Sequence, residues 1–152
     1  MEVKEIMKIL KDKMKIAVFA TAGKDGQPHA RHIFIGMANE KGIFFKTHKD
    51  RFFYKQLMEN PKVAITGKHE EGYLVQVIRI EGEVRSIGRE KLDEILEGDP
   101  YVDMVYPKER DHDNLQVFHL HTGEGFYHSL SQGHRYTFEI NSVDSEANDI
   151  QN

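Results

Sequence analysis

Lysine and arginine crowd one short stretch of this chain. Lys46, Lys49, Arg51 and Lys55 fall within Lys46-Thr47-His48-Lys49-Asp50-Arg51-Phe52-Phe53-Tyr54-Lys55, where Asp50 is the single acid. The chain as a whole carries a formal net charge of −4, so such a cluster stands out from its background. The pattern reads as the end of a strand, a basic turn, and a short helix that Asp50 caps and Pro61 stops. A helix start offers unpaired N–H groups and a partial positive charge, and both suit a phosphate. The chemistry expected here is the binding of an anion, a phosphate-bearing cofactor foremost. The competing reading is a solvated face, since Arg51 and Lys55 lie four residues apart on one side of the helix.

Nine histidines raise a second possibility, a metal or haem site. His119 and His121 are two apart and would share one face of a strand, with His128 on a neighbouring strand and His112 in a polar loop. The simpler reading has them at the rim of the fold, solvated or paired with Asp111, Asp113 or Glu124. No HExxH-type spacing exists, so no metal site is expected. Glu81 and Glu83 share a strand face and read as a solvated or interface pair. Neither a Rossmann or P-loop glycine pattern nor a Gly-x-Ser-x-Gly nucleophile elbow is present. With no cysteine, disulfides, thiolate catalysis and cysteine zinc sites are excluded.

The elements that must position these residues are mostly strands. Val3, Ile6, Met7, Leu10 and Met14 recur at helical spacing and predict an amphipathic helix over 3–14. Ile16 to Thr21 reads as a buried strand, Gly23 to Gly26 as a hairpin turn, and Pro28 to about Met37 as the partner strand. Further strands are predicted at Ile43–Thr47, Val63–Thr66, Tyr73–Ser86, Leu115–Leu120, Gly125–His128 and Arg135–Ile140, with Gly82 a bulge or a point of close approach. Short helices are expected at 89–97 and just before Tyr106-Pro107. Hairpin-length connections rule out parallel crossovers, so the fold class is mainly β: an antiparallel barrel with short peripheral helices.

At 152 residues, 39% hydrophobic and 30% charged, the chain is expected to form one domain over 1–140, followed by a polar, frayed tail at 141–152. No apolar run approaches a membrane span, and Met1-Glu2-Val3-Lys4-Glu5 lacks the shape of an export signal, so a cytoplasmic protein is expected. The mild acidity argues against general nucleic-acid binding.

The order of motifs resembles the pyridoxamine 5′-phosphate oxidase-like, FMN-binding split-barrel family. Its carriers are Ala17 to Thr21, then Asp25-Gly26-Gln27-Pro28-His29-Ala30-Arg31, Thr47, Lys49, Tyr54-Lys55-Gln56-Leu57, and Asn60-Pro61-Lys62-Val63. Arg79 to Val84, Tyr106-Pro107 and Leu115 to Phe118 continue the match. The resemblance implies a six-stranded split barrel that forms a homodimer, with FMN at the dimer interface. It implies Arg31 at the FMN phosphate, backbone groups of His32 and Ile33 at the flavin ring, Thr47 at the phosphate or ring edge, and Lys49 and Lys55 completing the phosphate site. Lys46 and Arg51 join them from the cationic cluster, while His32, Tyr127 and His128 are candidates to line the substrate space. The activity implied is hydride or electron transfer to a small molecule, with NADH or NADPH as donor. A binding protein for flavin or haem without turnover is the alternative, and a deazaflavin could stand in for FMN. The tryptophan of the vitamin oxidases is missing, Gln76 falls one residue out of register with a flavin-contacting glutamine, and Phe53 stands where one alignment expects lysine. The general-stress and nitroimidazole-reductase-like branches therefore resemble this chain more than the vitamin oxidases do.

Overall fold

Alternation of apolar and polar residues decides which side of each strand is covered, and the strands here are covered by one another and by short helices. The computed structural model describes residues 1–108 and 112–142; Asp111 and the tail from 143 onward lie outside the described residues. The strands are β1 (Ile16–Ala22), β2 (Pro28–Phe34), β3 (Met37–Asn39), β4 (Gly42–His48), β5 (Lys62–Glu71), β6 (Leu74–Gly88), β7 (Leu115–Ser129) and β8 (His134–Asn141). They form one antiparallel sheet in the order β2-β1-β5-β6-β7-β4-β3, with β8 paired to β7. The sheet curls but does not close.

The strand count is eight where six were implied. The predicted strand over 28–37 splits at Ile35-Gly36. There Ile35 N–H donates to the Lys15 carbonyl at 2.8 Å and Gly36 N–H to the Phe44 carbonyl at 3.0 Å, so the chain turns a corner. A Cβ on Gly36 would stand 2.7 Å from Ile95 Cγ2, which leaves glycine as the residue that fits. The two segments expected at 115–120 and 125–128 join into the single strand β7. Its first half pairs with β4 and its second half with β8, while β6 runs alongside both. Gly82 is the close-approach point: a Cβ there would run into the Thr122 carbonyl of β7, and the bulge falls just beyond, between Glu83 and Val84.

The first helix is α1 (Val3–Lys8), and the rest of the predicted span winds on as a π-helical segment over Ile9–Met14. Ile6, Met7, Leu10 and Met14 are all buried, as the helical spacing requires. α2 (Phe52–Glu59) ends before Pro61. Its N-cap is the extended Arg51, not Asp50, and no side chain caps it. Asp50 instead turns its exposed carboxylate toward His48 Nδ1, 3.6 Å away. α3 (Leu92–Glu97) and α4 (Val102–Val105) pack outside the sheet. β4 is buried on both faces: Ile43 and Phe45 enter the main core with Phe19, Phe53 and Phe118, and Phe44 enters a second core with Leu92, Ile95 and Val102. Among the described residues no helix is long and apolar enough to cross a membrane.

Candidate functional site

Three elements meet at the basic end of the fold: β2, the end of β4 running into α2, and the 99–106 segment that carries α4. Between them lies a cleft of about 550 Å³, within the range of about 300–1,000 Å³ usual for small-molecule sites. Arg31, His32, Ile33, Lys46, Thr47 and Arg51 all line it. Six of the residues singled out from sequence are thus brought together.

Arg31 sits opposite Phe19 in the β1–β2 ladder and reaches back over the sheet. Its Nη1 donates to Thr21 Oγ1 at 2.7 Å and to the Phe19 carbonyl at 3.2 Å, and its Nη2 donates to Gln56 Oε1 at 2.6 Å. The guanidinium also lies over the Phe53 ring, 4.4 Å from its centroid. Burial lowers its pKa from the usual arginine value, yet arginine stays charged at any physiological pH. Every acceptor it uses is neutral, so its charge is oriented without being cancelled.

Lys46 is placed differently. Its ammonium pairs with the Asp99 carboxylate, whose side chain is fully buried. Asp99 Oδ1 also accepts the Tyr101 N–H at 2.8 Å, so the pair fastens the 99–106 wall to β4. Lys46 thus lines the cleft with its charge already matched by Asp99. Arg51, at the start of α2, covers the Tyr106 ring at 5.8 Å. Among the described residues neither Arg31 nor Arg51 has a carboxylate partner. Thr47 is buried at the cleft floor, and His32 is exposed at its edge.

Four expected site residues lie elsewhere in this chain. Lys49 and Lys55 are exposed and do not line the cleft; Lys55 lies off the α2 face that buries Phe53, Gln56 and Leu57. Tyr127 is buried in the main core, its hydroxyl accepting from Gln76 Nε2 at 3.0 Å. His128 points the other way along β7, half-buried beside Phe126, as strand alternation dictates. His119 and His121 share a face with rings 6.1 Å apart, but His119 stacks on Phe44 and its Nε2 donates to the Lys41 carbonyl at 2.7 Å. Burial pushes the His119 pKa down to about 4, so it is neutral at pH 7. Among the described residues no group of three metal-ligating side chains forms.

Sequence reasoning missed most of the apolar wall, formed by Phe34, Phe52, Tyr101, Val102 and Val105, along with Asp99 and Gln56. One signal was present: Gln56 stands on the stripe shared by Phe53 and Leu57, where a buried polar residue needs a partner.

The sequence profile for pyridoxamine 5′-phosphate oxidase matches residues 3–129. The chain belongs to the pyridoxamine 5′-phosphate oxidase family. The open eight-stranded sheet is this family's split barrel in its present form. A pyridoxine/pyridoxamine 5′-phosphate oxidase of Hydrogenovibrio crunogenus is 37% identical over 71 residues, covering 47% of this chain and 32% of that protein. The match thus spans about a third of the length of that curated relative. Among solved structures, a NimC/NimA family protein of Clostridium acetobutylicum is similar at 27% identity and a TM-score of 0.72, covering 91% of this chain and 93% of the other. A haem-binding protein of Mycobacterium smegmatis shares the fold at 11% identity and a TM-score of 0.69, covering 91% of this chain and 58% of its own.

Proposed function

We propose that this chain is an FMN-dependent oxidoreductase that holds its flavin non-covalently in the Arg31 cleft and works as a homodimer. The observation that carries the reading is the make-up of the cleft. A guanidinium oriented only by neutral acceptors faces a wall of aromatic and aliphatic side chains. A phosphate ester on a flat heteroaromatic ring has the complementary chemistry, an anion at one end and an apolar plate at the other. These residues fit FMN. Arg31 would take the phosphate through its fork, with Arg51 adding charge and Thr47 a hydroxyl. Backbone groups of His32 and Ile33 would meet the ring edge, while Phe34, Tyr101 and Val105 exclude water from it.

Bound there, a flavin supplies hydride and electron transfer, which none of the side chains in the cleft can perform. The family membership supports the cofactor class, and a small molecule as substrate with NADH or NADPH as donor completes the proposal. His128, half-buried on the outer face of β7, is available to a second copy; Tyr127, in the core, serves packing. The test is the visible spectrum of the purified chain, followed by addition of FMN and then of NADH or NADPH. Saturable binding with bleaching of the flavin bands is expected. Binding without reduction by either donor would leave a flavin-binding protein, a Soret band would indicate haem, and binding of neither would refute the reading.

A further inference from the structure

Gln56 is the one buried polar side chain on the apolar face of α2, and it is 2% exposed. Its Oε1 accepts from Arg31 Nη2 at 2.6 Å and from Thr21 Oγ1 at 2.7 Å, while Thr21 Oγ1 also accepts from Arg31 Nη1 at 2.7 Å. The three side chains close a triangle. Reversing the carboxamide would set its NH₂ against the Arg31 Nη2 N–H, donor against donor, so the oxygen faces the guanidinium. Held this way round, Gln56 leaves its own Nε2 buried with no hydrogen-bond partner among the described residues. A buried donor left unpaired opposes folding. The orientation of Arg31 is kept despite that cost.

From this we infer that Gln56 is a positioning residue for the anion site: it fixes the Arg31 guanidinium in the cleft through a neutral acceptor, so that the full positive charge is available to a phosphate. A glutamate would hold the guanidinium equally well and cancel its charge, as Asp99 does for Lys46. The neutrality of residue 56 is therefore the functional property. This inference rests on the proposed phosphate-bearing flavin, and its test separates the two.

The experiment is a fluorescence titration of the full chain with FMN and with riboflavin, which lacks the phosphate. Wild type, Gln56→Glu and Gln56→Met are compared, with each melting temperature measured alongside. The expected result is that Gln56→Glu weakens FMN about tenfold to a hundredfold while riboflavin affinity stays within about twofold, with no loss of melting temperature. Gln56→Met, which removes the acceptor and adds no charge, is expected to weaken FMN less than Gln56→Glu does, again sparing riboflavin. Two results overturn the inference: Gln56→Glu binding FMN as tightly as wild type, or both ligands weakening in proportion, which is the mark of a merely structural role. Should Gln56→Glu fail to fold, Gln56→Met decides by the same FMN-to-riboflavin ratio. Wild type that prefers neither ligand, or binds neither, overturns the proposed function first and this inference with it.

Discussion

The Lys46–Asp99 pair decides how firmly the outer wall of the cleft is attached, and its two halves are not equivalent. The Asp99 side chain is 0% exposed and that of Lys46 is 11% exposed. Removing one partner of a buried pair strands the other, at a cost of about 3–5 kcal/mol. Lys46→Met strands a carboxylate with no route to water, so the upper part of that range applies. Asp99→Asn keeps an oxygen for the Tyr101 N–H and strands an ammonium that can swing into the cleft, so about 2–3 kcal/mol is expected. For a domain of this size each kcal/mol moves the melting temperature by about 2–4 °C. Lys46→Met is thus expected to melt roughly 8–20 °C below wild type, and Asp99→Asn roughly 4–12 °C below. The double variant, with both charges gone, should recover much of the loss. The assay is urea unfolding followed by circular dichroism, with the midpoints placed in a double-mutant cycle. A coupling energy near zero, or Lys46→Met costing less than Asp99→Asn, would refute the reasoning.

Further variants test other parts of the account. Arg31→Ala is expected to weaken FMN about tenfold to a hundredfold by fluorescence titration, whereas Lys55→Ala, outside the cleft, should stay within about twofold. Because burial holds His119 neutral with a folded-state value near 4 against 6.5 unfolded, the unfolded chain gains a proton first as pH falls. Its contribution is intact above pH 6.5 and is lost between there and about pH 4, by about 3 kcal/mol, so His119→Gln should flatten that part of the urea-midpoint profile. Gly82→Ala drives a methyl group into the Thr122 carbonyl and should cost at least about 2 kcal/mol, seen as a lower melting temperature or loss of soluble protein.

Strand periodicity and turn glycines made the β architecture legible, because each depends on residues close together in the chain. What stayed hidden was long-range. The corner at Ile35-Gly36 is held by the Lys15 and Phe44 carbonyls, and what demands glycine at 36 is Ile95, far along the sequence. Lys46 reads as a basic residue in a basic stretch until Asp99, in what looks like a mere helix stop, is folded against it. Arg31 and Thr47 could be named beforehand from the family resemblance, and Arg51 from the cationic cluster. Tyr127 and His128 are neighbours on one strand, and alternation sends them to opposite faces, which a reading by motif does not register. The aromatic wall was invisible for a related reason: Phe34, Phe52 and Tyr101 come from three separate elements, and none has distinctive spacing.

The central claim is that the Arg31 cleft is where a phosphate-bearing flavin sits. A crystal structure of the chain grown with FMN tests it most directly. The phosphate is expected against the Arg31 guanidinium, near Thr47 and Arg51, with the ring against the Phe34 and Tyr101 side of the cleft. A phosphate held by Lys49 and Lys55 outside the cleft, with Arg31 still bonded only to Thr21, Gln56 and the backbone carbonyls beside it, would contradict it.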